Sequence, residues 1–155
     1  TLDGSSAASD VYKRQAGYWQ NEDATADAFI NIDGKDFFRT GDIGYYDEDG
    51  YFYFVDRLKR MINVSGLKVW PAEVEAILHS HPAILEACVV GDSDPRTGER
   101  VRAVVVLNDK EKKLSKDSFI EWCGKNMAHY KVPKSLEIRT NLPRGSAGKV
   151  LWKDL

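Results

Sequence analysis

A chain of 155 residues has room for one ordinary domain, or for a small domain carrying part of another. With 43% hydrophobic and 30% charged residues it reads as a folded, soluble polypeptide, and 22 Lys plus Arg against 24 Asp plus Glu give a net charge of -2, which is no nucleic-acid signature. No apolar run approaches the roughly 20 residues that span a bilayer, and no secretory n-region and h-region pair opens the chain.

The two cysteines, Cys88 and Cys123, stand in apolar or helical context without CxxC spacing. They read as buried thiols of a cytoplasmic protein, neither a disulfide framework nor a metal site. The histidines His79, His81 and His129 share no ligand spacing and read as helix-end or surface residues, so no metal site is expected. Charge is uneven. Residues 16–50 hold nine acids against two bases, whereas residues 131–155 hold six bases against two acids. A basic closing segment suits a surface that meets phosphates, or simply a solvated face.

In chain order, residues 5–15 read Ser-Ser-Ala-Ala-Ser-Asp-Val-Tyr-Lys-Arg-Gln, which resembles a sequencing-library transposon adapter translated in frame. Residues 1–15 are therefore expected to be adapter-derived or disordered and are set aside from the fold. Asn21 can cap a short helix over residues 21–29, with acids in its first turn. Phe37 to Thr40 reads as a strand. Tyr45-Tyr46, the turn Asp47 to Gly50, and Tyr51 to Val55 form a hairpin whose Asp-Gly pair supplies the positive φ of a tight turn.

Met61 to Val64 and Leu67 to Val69 predict a second, shorter hairpin about Ser65-Gly66. Pro71 opens a helix to His79, with Val74, Ile77 and Leu78 on one face. Strands follow at Ile84 to Val90 and at Val101 to Leu107, the latter nearly continuously apolar and so central. Ser115 caps a helix over residues 116–127 that buries Phe119, Ile120 and Cys123. Leu136 to Arg139 is the last strand. Leu142 to Gly148 is a loop, and Val150 is expected to begin a terminal helix.

The fold class is therefore α+β, a small domain with a mixed sheet and flanking helices over residues 59–155. Residues 16–58 offer too little to bury a core alone and are expected to be the tail of a larger domain.

Three stretches then carry a joint resemblance. Thr40-Gly41-Asp42, the run Asp56 to Gly66 (DRLKRMINVSG) and the run Leu142 to Val150 (LPRGSAGKV) resemble, in order and spacing, the closing motifs of the adenylate-forming superfamily. That group comprises acyl- and aryl-CoA synthetases, peptide-synthetase adenylation domains and firefly-type luciferases. The run Val69 to Glu75 is most similar to fatty-acid-type CoA ligases. The resemblance implies a mobile C-terminal lid domain preceded by a β-hairpin remnant of the large domain. It further implies that the parent joins a carboxylic acid, of fatty-acid type, to CoA through an acyl-AMP. ATP with Mg²⁺ and CoA would be substrates, with no tightly bound prosthetic group, and residues 16–155 alone would be inactive. An adenylation domain loading a carrier-protein thiol and a non-catalytic binding module are the rival readings.

Residue by residue, the resemblance puts Asp42 on the ribose hydroxyls of ATP and acyl-AMP; alone, Asp42 would read as a turn cap. Arg57 falls on the nucleotide, where its planar fork suits ribose hydroxyls or phosphate oxygens; its bland role is a surface ion pair with Asp56 or Glu73. Lys59 matches the hinge position, which absorbs the φ/ψ change of a domain swing. Lys149 follows the small residues Gly145 to Gly148, a tip able to deliver a long cation to two converging anions; otherwise it is a solvated lysine at a helix start, a poor place for a cation. Ser65 and Gly66 fall beside the pantetheine arm of CoA, and Tyr130 near its adenine; the bland roles are a turn glycine and core packing. Some relatives carry an Arg two places after that aromatic. Here Val132 stands there, leaving Lys131 or Lys134 to meet the CoA phosphate.

Overall fold

The computed structural model describes residues 16–108 and 113–155; the adapter-like segment lies outside them. Two compact units divide the chain between Gly41 and Asp42.

In the first unit, helix α1 (Glu22–Ala28) starts where expected, because the Asn21 side chain accepts the Ala24 N–H at 3.0 Å. Two antiparallel strands follow, β1 (Phe29–Ile32) and β2 (Lys35–Phe38). The expected strand at residues 37–40 begins earlier than its apolar pair, and its partner β1 was not foreseen. The sign was present in Asp33-Gly34, which turns the chain at positive φ (+51° and +78°).

The second unit opens with the expected hairpin, β3 (Asp42–Tyr46) and β4 (Phe52–Arg57). Asp47 organises its turn: its side chain accepts the Asp49 and Tyr51 N–H groups, and Gly50 takes φ +82°. Tyr45 stacks on Tyr53, and these rings with Tyr46, Tyr51, Phe52 and Phe54 are all exposed.

Past a 3₁₀ turn at Leu58–Arg60 lies a five-stranded mixed sheet. It contains β5 (Ile62–Val64), β6 (Leu67–Val69), β7 (Ile84–Asp94), β8 (Gly98–Leu107) and β9 (Ser135–Arg139). The order is β6-β5-β8-β7, with β9 running parallel to β8 and the other pairs antiparallel. The apolar β8 is central, as its composition predicts.

Alternation along the strands gives the sheet two apolar faces. On the first, Val89, Val101, Ala103 and Val105 meet Val74 and Leu78 of α2 (Pro71–Leu78) and Phe119 and Cys123 of α3 (Lys116–Asn126). On the second, Cys88, Val90, Val104 and Val106 are covered by Leu142, Val150, Trp152 and Leu155 of the closing segment. Each fully buried aliphatic or aromatic side chain contributes roughly 1.5–3 kcal/mol. Beyond that cover, the second face carries an ion ladder in place of apolar side chains. Arg102 meets Asp92 at 2.8 Å and Glu137 at 2.6 Å, and Arg139 meets Glu137 at 2.6 Å. Arg139, with Arg102 beside it, holds the Glu137 carboxyl below its ordinary range.

The helix starts differ in origin. Ser115 caps α3 from within the sequence, accepting the Ser118 N–H at 3.1 Å. Trp70 gives α2 no side-chain cap. Asp56 at the end of β4, only 2% exposed, accepts the Ala72 N–H at 2.8 Å and so does that task from 16 residues upstream.

Two expectations are corrected. Val150 does not begin a helix: it closes a bridge with Arg144, and only a 3₁₀ turn, Trp152–Asp154, follows. The reason is that Val150, Trp152 and Leu155 are drawn onto the second face of the sheet. Of the helix-end and surface readings of His81 the surface one fails: its N–H donates to the Leu78 carbonyl at the end of α2, and the residue is buried. Its Nδ1 accepts the Ala83 N–H at 3.1 Å and its ring meets Trp122 edge-on. Cys88 and Cys123 are buried as expected, and burial pushes both thiols up to about 12, with Glu75 adding to the effect at Cys88.

Candidate functional site

Asp42 and Arg57 sit directly opposite each other in the β3–β4 register, and Arg57 Nε meets Asp42 Oδ1 at 2.9 Å. Arg57 thus pairs with the other predicted nucleotide residue, not with Asp56 or Glu73. The pair is well exposed, its side chains 61% and 35% accessible. An ion pair so open to water is worth little and exchanges readily for another partner.

The two rivals for Arg57 have other side-chain partners, Glu73 pairing with Lys131. Asp56 accepts the Arg57 and Ala72 N–H groups and lies 3.6 Å from Arg60. Arg60 also meets Glu75 of α2 at 2.5 Å, and the same Glu75 oxygen accepts the Val89 N–H at 2.8 Å. Lys59, exposed, lies inside this bracket, with Asp56 before it and Arg60 after it both tied to α2. Asp56, Arg60 and Glu75 all fall in the motif runs, but the links of Asp56 and Arg60 to α2 are not legible in the sequence, because partners separated by 15 and 16 residues leave no local pattern.

Ser65 and Gly66 form the two-residue tip of the β5–β6 hairpin, both at positive φ (+53° and +85°). The Asn63 side chain accepts the Gly66 N–H at 2.9 Å, and the Ser65 N–H reaches the Thr97 carbonyl at 2.8 Å. A Cβ built on Gly66 meets nothing within 4 Å. The tip is held by its backbone and opens outward.

Tyr130 lies in a 3₁₀ turn, His129–Lys131, and packs half-buried against the first apolar face. Lys131 ion-pairs with Glu73 of α2, and this hydrogen bond raises its pKa above the ordinary lysine value. Of the two lysines open for a CoA phosphate, Lys131 is therefore already engaged, while Lys134 is exposed. The 3₁₀ turn neighbours β6, so Tyr130 and the Ser65-Gly66 hairpin belong to adjoining elements.

Lys149 is the last residue of a tight loop. Gly145 and Gly148 close a turn about Ser146-Ala147 (Gly148 N–H to Gly145 carbonyl, 2.9 Å), and the Gly145 N–H reaches the Lys149 carbonyl at 2.9 Å. Gly148 takes φ +74°. The Leu151 N–H donates to the Pro143 carbonyl at 2.8 Å, completing a short hairpin around the Arg144–Val150 bridge. Lys149 is exposed, and among the described residues no carboxylate holds its ammonium. The loop's anchors, Leu142 and Val150, lie on the second face of the sheet, whereas Tyr130, Ile62 and Val69 lie on the first. The Lys149 loop is thus anchored on one face of the sheet, while Tyr130 and the base of the Ser65-Gly66 hairpin pack on the other.

Among the described residues no group of three or more His, Cys, Asp or Glu is placed to hold a metal ion, and no helix is long and apolar enough to cross a membrane.

The family model for the AMP-binding enzyme C-terminal domain matches residues 73–149. In sequence the chain is 45% identical over 138 residues to the crotonobetaine/carnitine–CoA ligase of Salmonella typhimurium, a match covering 89% of this chain and 26% of that protein. Its fold matches o-succinylbenzoate CoA synthetase of Bacillus subtilis, solved with the acyl-adenylate intermediate OSB-AMP, at TM-score 0.74 and 35% identity, over 88% of this chain and 27% of that one. It also matches a Mycobacterium tuberculosis fatty acyl CoA synthetase at TM-score 0.64 and 40% identity, over 89% and 26%. The chain spans about a quarter of the length of the curated relatives it matches.

Proposed function

We infer, since the chain belongs to the family of AMP-binding enzyme C-terminal domains, that it serves as the lid of an AMP-forming acyl-CoA synthetase. In the first half-reaction a carboxylate oxygen of the acid attacks the α-phosphorus of ATP, and pyrophosphate leaves. In the second, the CoA sulfur attacks the acyl carbon and AMP leaves. Asp42 and Arg57 would exchange their mutual ion pair for the ribose and phosphate of the nucleotide. Lys149 would bridge the incoming carboxylate and the phosphate oxygens, aligning the nucleophile and stabilising the charge that gathers there. Mg²⁺ would enter with the ATP phosphates.

The observation that carries this reading is the division of site residues between the two faces of the sheet. A loop delivering a cation from one side of the sheet and a Ser65-Gly66 tip with Tyr130 on the adjoining turn would not both close over one nucleotide at once. A lid that turns about Lys59 would present them in succession, Lys149 for adenylation and the Ser65-Gly66 side for thioester formation. This reading sets the domain limit between residues 58 and 59. The exposed aromatic rings of the β3–β4 hairpin support it, because they suit burial against a larger body. The fatty-acid type of the substrate rests on the run Val69 to Glu75 and on the 40% identity to the mycobacterial synthetase. The place of action would be the cytoplasm, peripheral to a membrane for such a substrate.

The test is a chimera in which this chain replaces the matching 138 residues of the Salmonella typhimurium relative. It is expected to exchange labelled pyrophosphate into ATP only with a carboxylic acid present, and to convert CoA to thioester with release of AMP. Exchange with transfer to a carrier-protein thiol and none to CoA would overturn the CoA assignment. A folded chimera without exchange, beside an active unaltered relative, would overturn the ligase reading.

A further inference from the structure

Lys149 stands on a loop of small residues, yet its backbone is held from both sides. The peptide unit after it is fixed by the Gly145 N–H, which donates to the Lys149 carbonyl at 2.9 Å. The peptide unit before it is fixed by a side chain: Arg144 Nη1 donates to the Gly148 carbonyl at 2.8 Å. The other arm of the same guanidinium, Nη2, ion-pairs with Glu86 of β7. A planar fork with donors in fixed directions can hold two acceptors at once, and that is the property of Arg that Lys lacks.

We propose that Arg144, anchored to Glu86, positions Lys149; this rests on the adenylation role inferred above for that lysine. Without the clamp, Gly148 leaves the chain free to rotate just ahead of Lys149, since glycine populates both signs of φ. The direction of the Lys149 Cα–Cβ bond is set by the two peptide planes flanking it, so loss of one plane blurs the aim of a side chain that must reach two anions. The brace also joins the loop to the sheet. Glu86 lies on a long, well-paired strand, while the loop's own bonds all run between residues 143 and 151. As an ion pair, Arg144 and Glu86 (46% and 35% accessible) contribute little to stability. What they contribute is direction.

Two measurements test this. In the 155-residue chain, Arg144→Ala is expected to speed amide exchange of Gly145 and Gly148 by about tenfold while the β7 and β8 amides stay as they were. Glu86→Gln, which keeps an acceptor but removes the charge, is expected to fall between the two. In the chimera, Arg144→Ala is expected to lower kcat for adenylation about 10- to 100-fold with little change in the KM for ATP, as misaimed catalytic groups do. Thioester formation from supplied acyl-AMP should be unaffected. Added to Lys149→Ala, Arg144→Ala should lower adenylation no further, because a residue that acts through Lys149 has nothing left to aim.

Unchanged amide exchange would overturn the brace, and a further fall in the Lys149→Ala background would overturn action through Lys149. If Lys149→Ala itself left adenylation intact, the catalytic reading of the lysine, and with it the positioning role, would fall. The amide exchange would still report whether the clamp exists.

Discussion

Lys149→Ala in the chimera is expected to lower carboxylate-dependent pyrophosphate exchange by about 10²–10³-fold or more, the usual loss when a positioned charge-stabilising group is removed. Thioester formation from supplied acyl-AMP is expected to survive. The asymmetry follows from charge. Adenylation forces a carboxylate against a triphosphate, so a bridging cation matters most there; attack of CoA sulfur on the acyl carbon needs no such bridge. The fold should not suffer, since Lys149 is exposed and no carboxylate among the described residues depends on it. An unchanged melting temperature alongside the rate loss would separate chemistry from stability. Equal loss of both half-reactions would refute the assignment of one sheet face to each step.

Gly66→Leu is expected to give the mirror result, leaving pyrophosphate exchange intact and blocking transfer to CoA. Two effects must be separated here. Gly66 has φ +85°, so any side chain brings strain of about 1–2 kcal/mol at this position. Yet a Cβ there meets nothing within 4 Å, so the first side-chain carbon has no clash within the chain itself. Gly66→Ala shares the strain but adds little volume. Transfer retained by Ala and lost by Leu would show that bulk at the open tip, the proposed path of the pantetheine arm, is what blocks the step. Transfer that persists in Gly66→Leu would remove Ser65 and Gly66 from the CoA path.

What the sequence made legible follows from how local the signals were. The β5–β6 hairpin could be read because Ser65-Gly66 sits between two apolar triplets and meets the backbone demand of a two-residue turn. The same logic applied to Asp33-Gly34, but the apolar pair Phe37-Phe38 drew attention to the second strand alone, so β1 was missed. Val150 illustrates tertiary override: its surroundings permitted a helix start, and packing against the apolar cluster on the second face decided otherwise. His81 is similar, since only the folded arrangement of Trp122 shows that it is covered.

The site divides along the same line. Asp42 and Arg57 were read separately from two motifs, and their meeting follows from a hairpin register that runs through a bulge at Ile43/Gly44, which no motif encodes. The pairing of Lys131 with Glu73, 58 residues away, leaves no local sign in the sequence. Asp56, standing in for a cap that Trp70 cannot provide, and Glu86, anchoring the Arg144 that clamps the peptide before Lys149, both act across folded distance. A family motif marks where chemistry is delivered; which of its residues hold that chemistry steady, and through which partners, is found only in three dimensions.

The most direct test of the account is a structure of the chimera with acyl-adenylate bound. The expected result is Lys149 Nζ within about 4 Å of an α-phosphate oxygen, the reach of an ion pair, with Asp42 and Arg57 on the ribose. Lys149 remote from the phosphorus in every captured state, with Asp42 and Arg57 off the sugar, would contradict it.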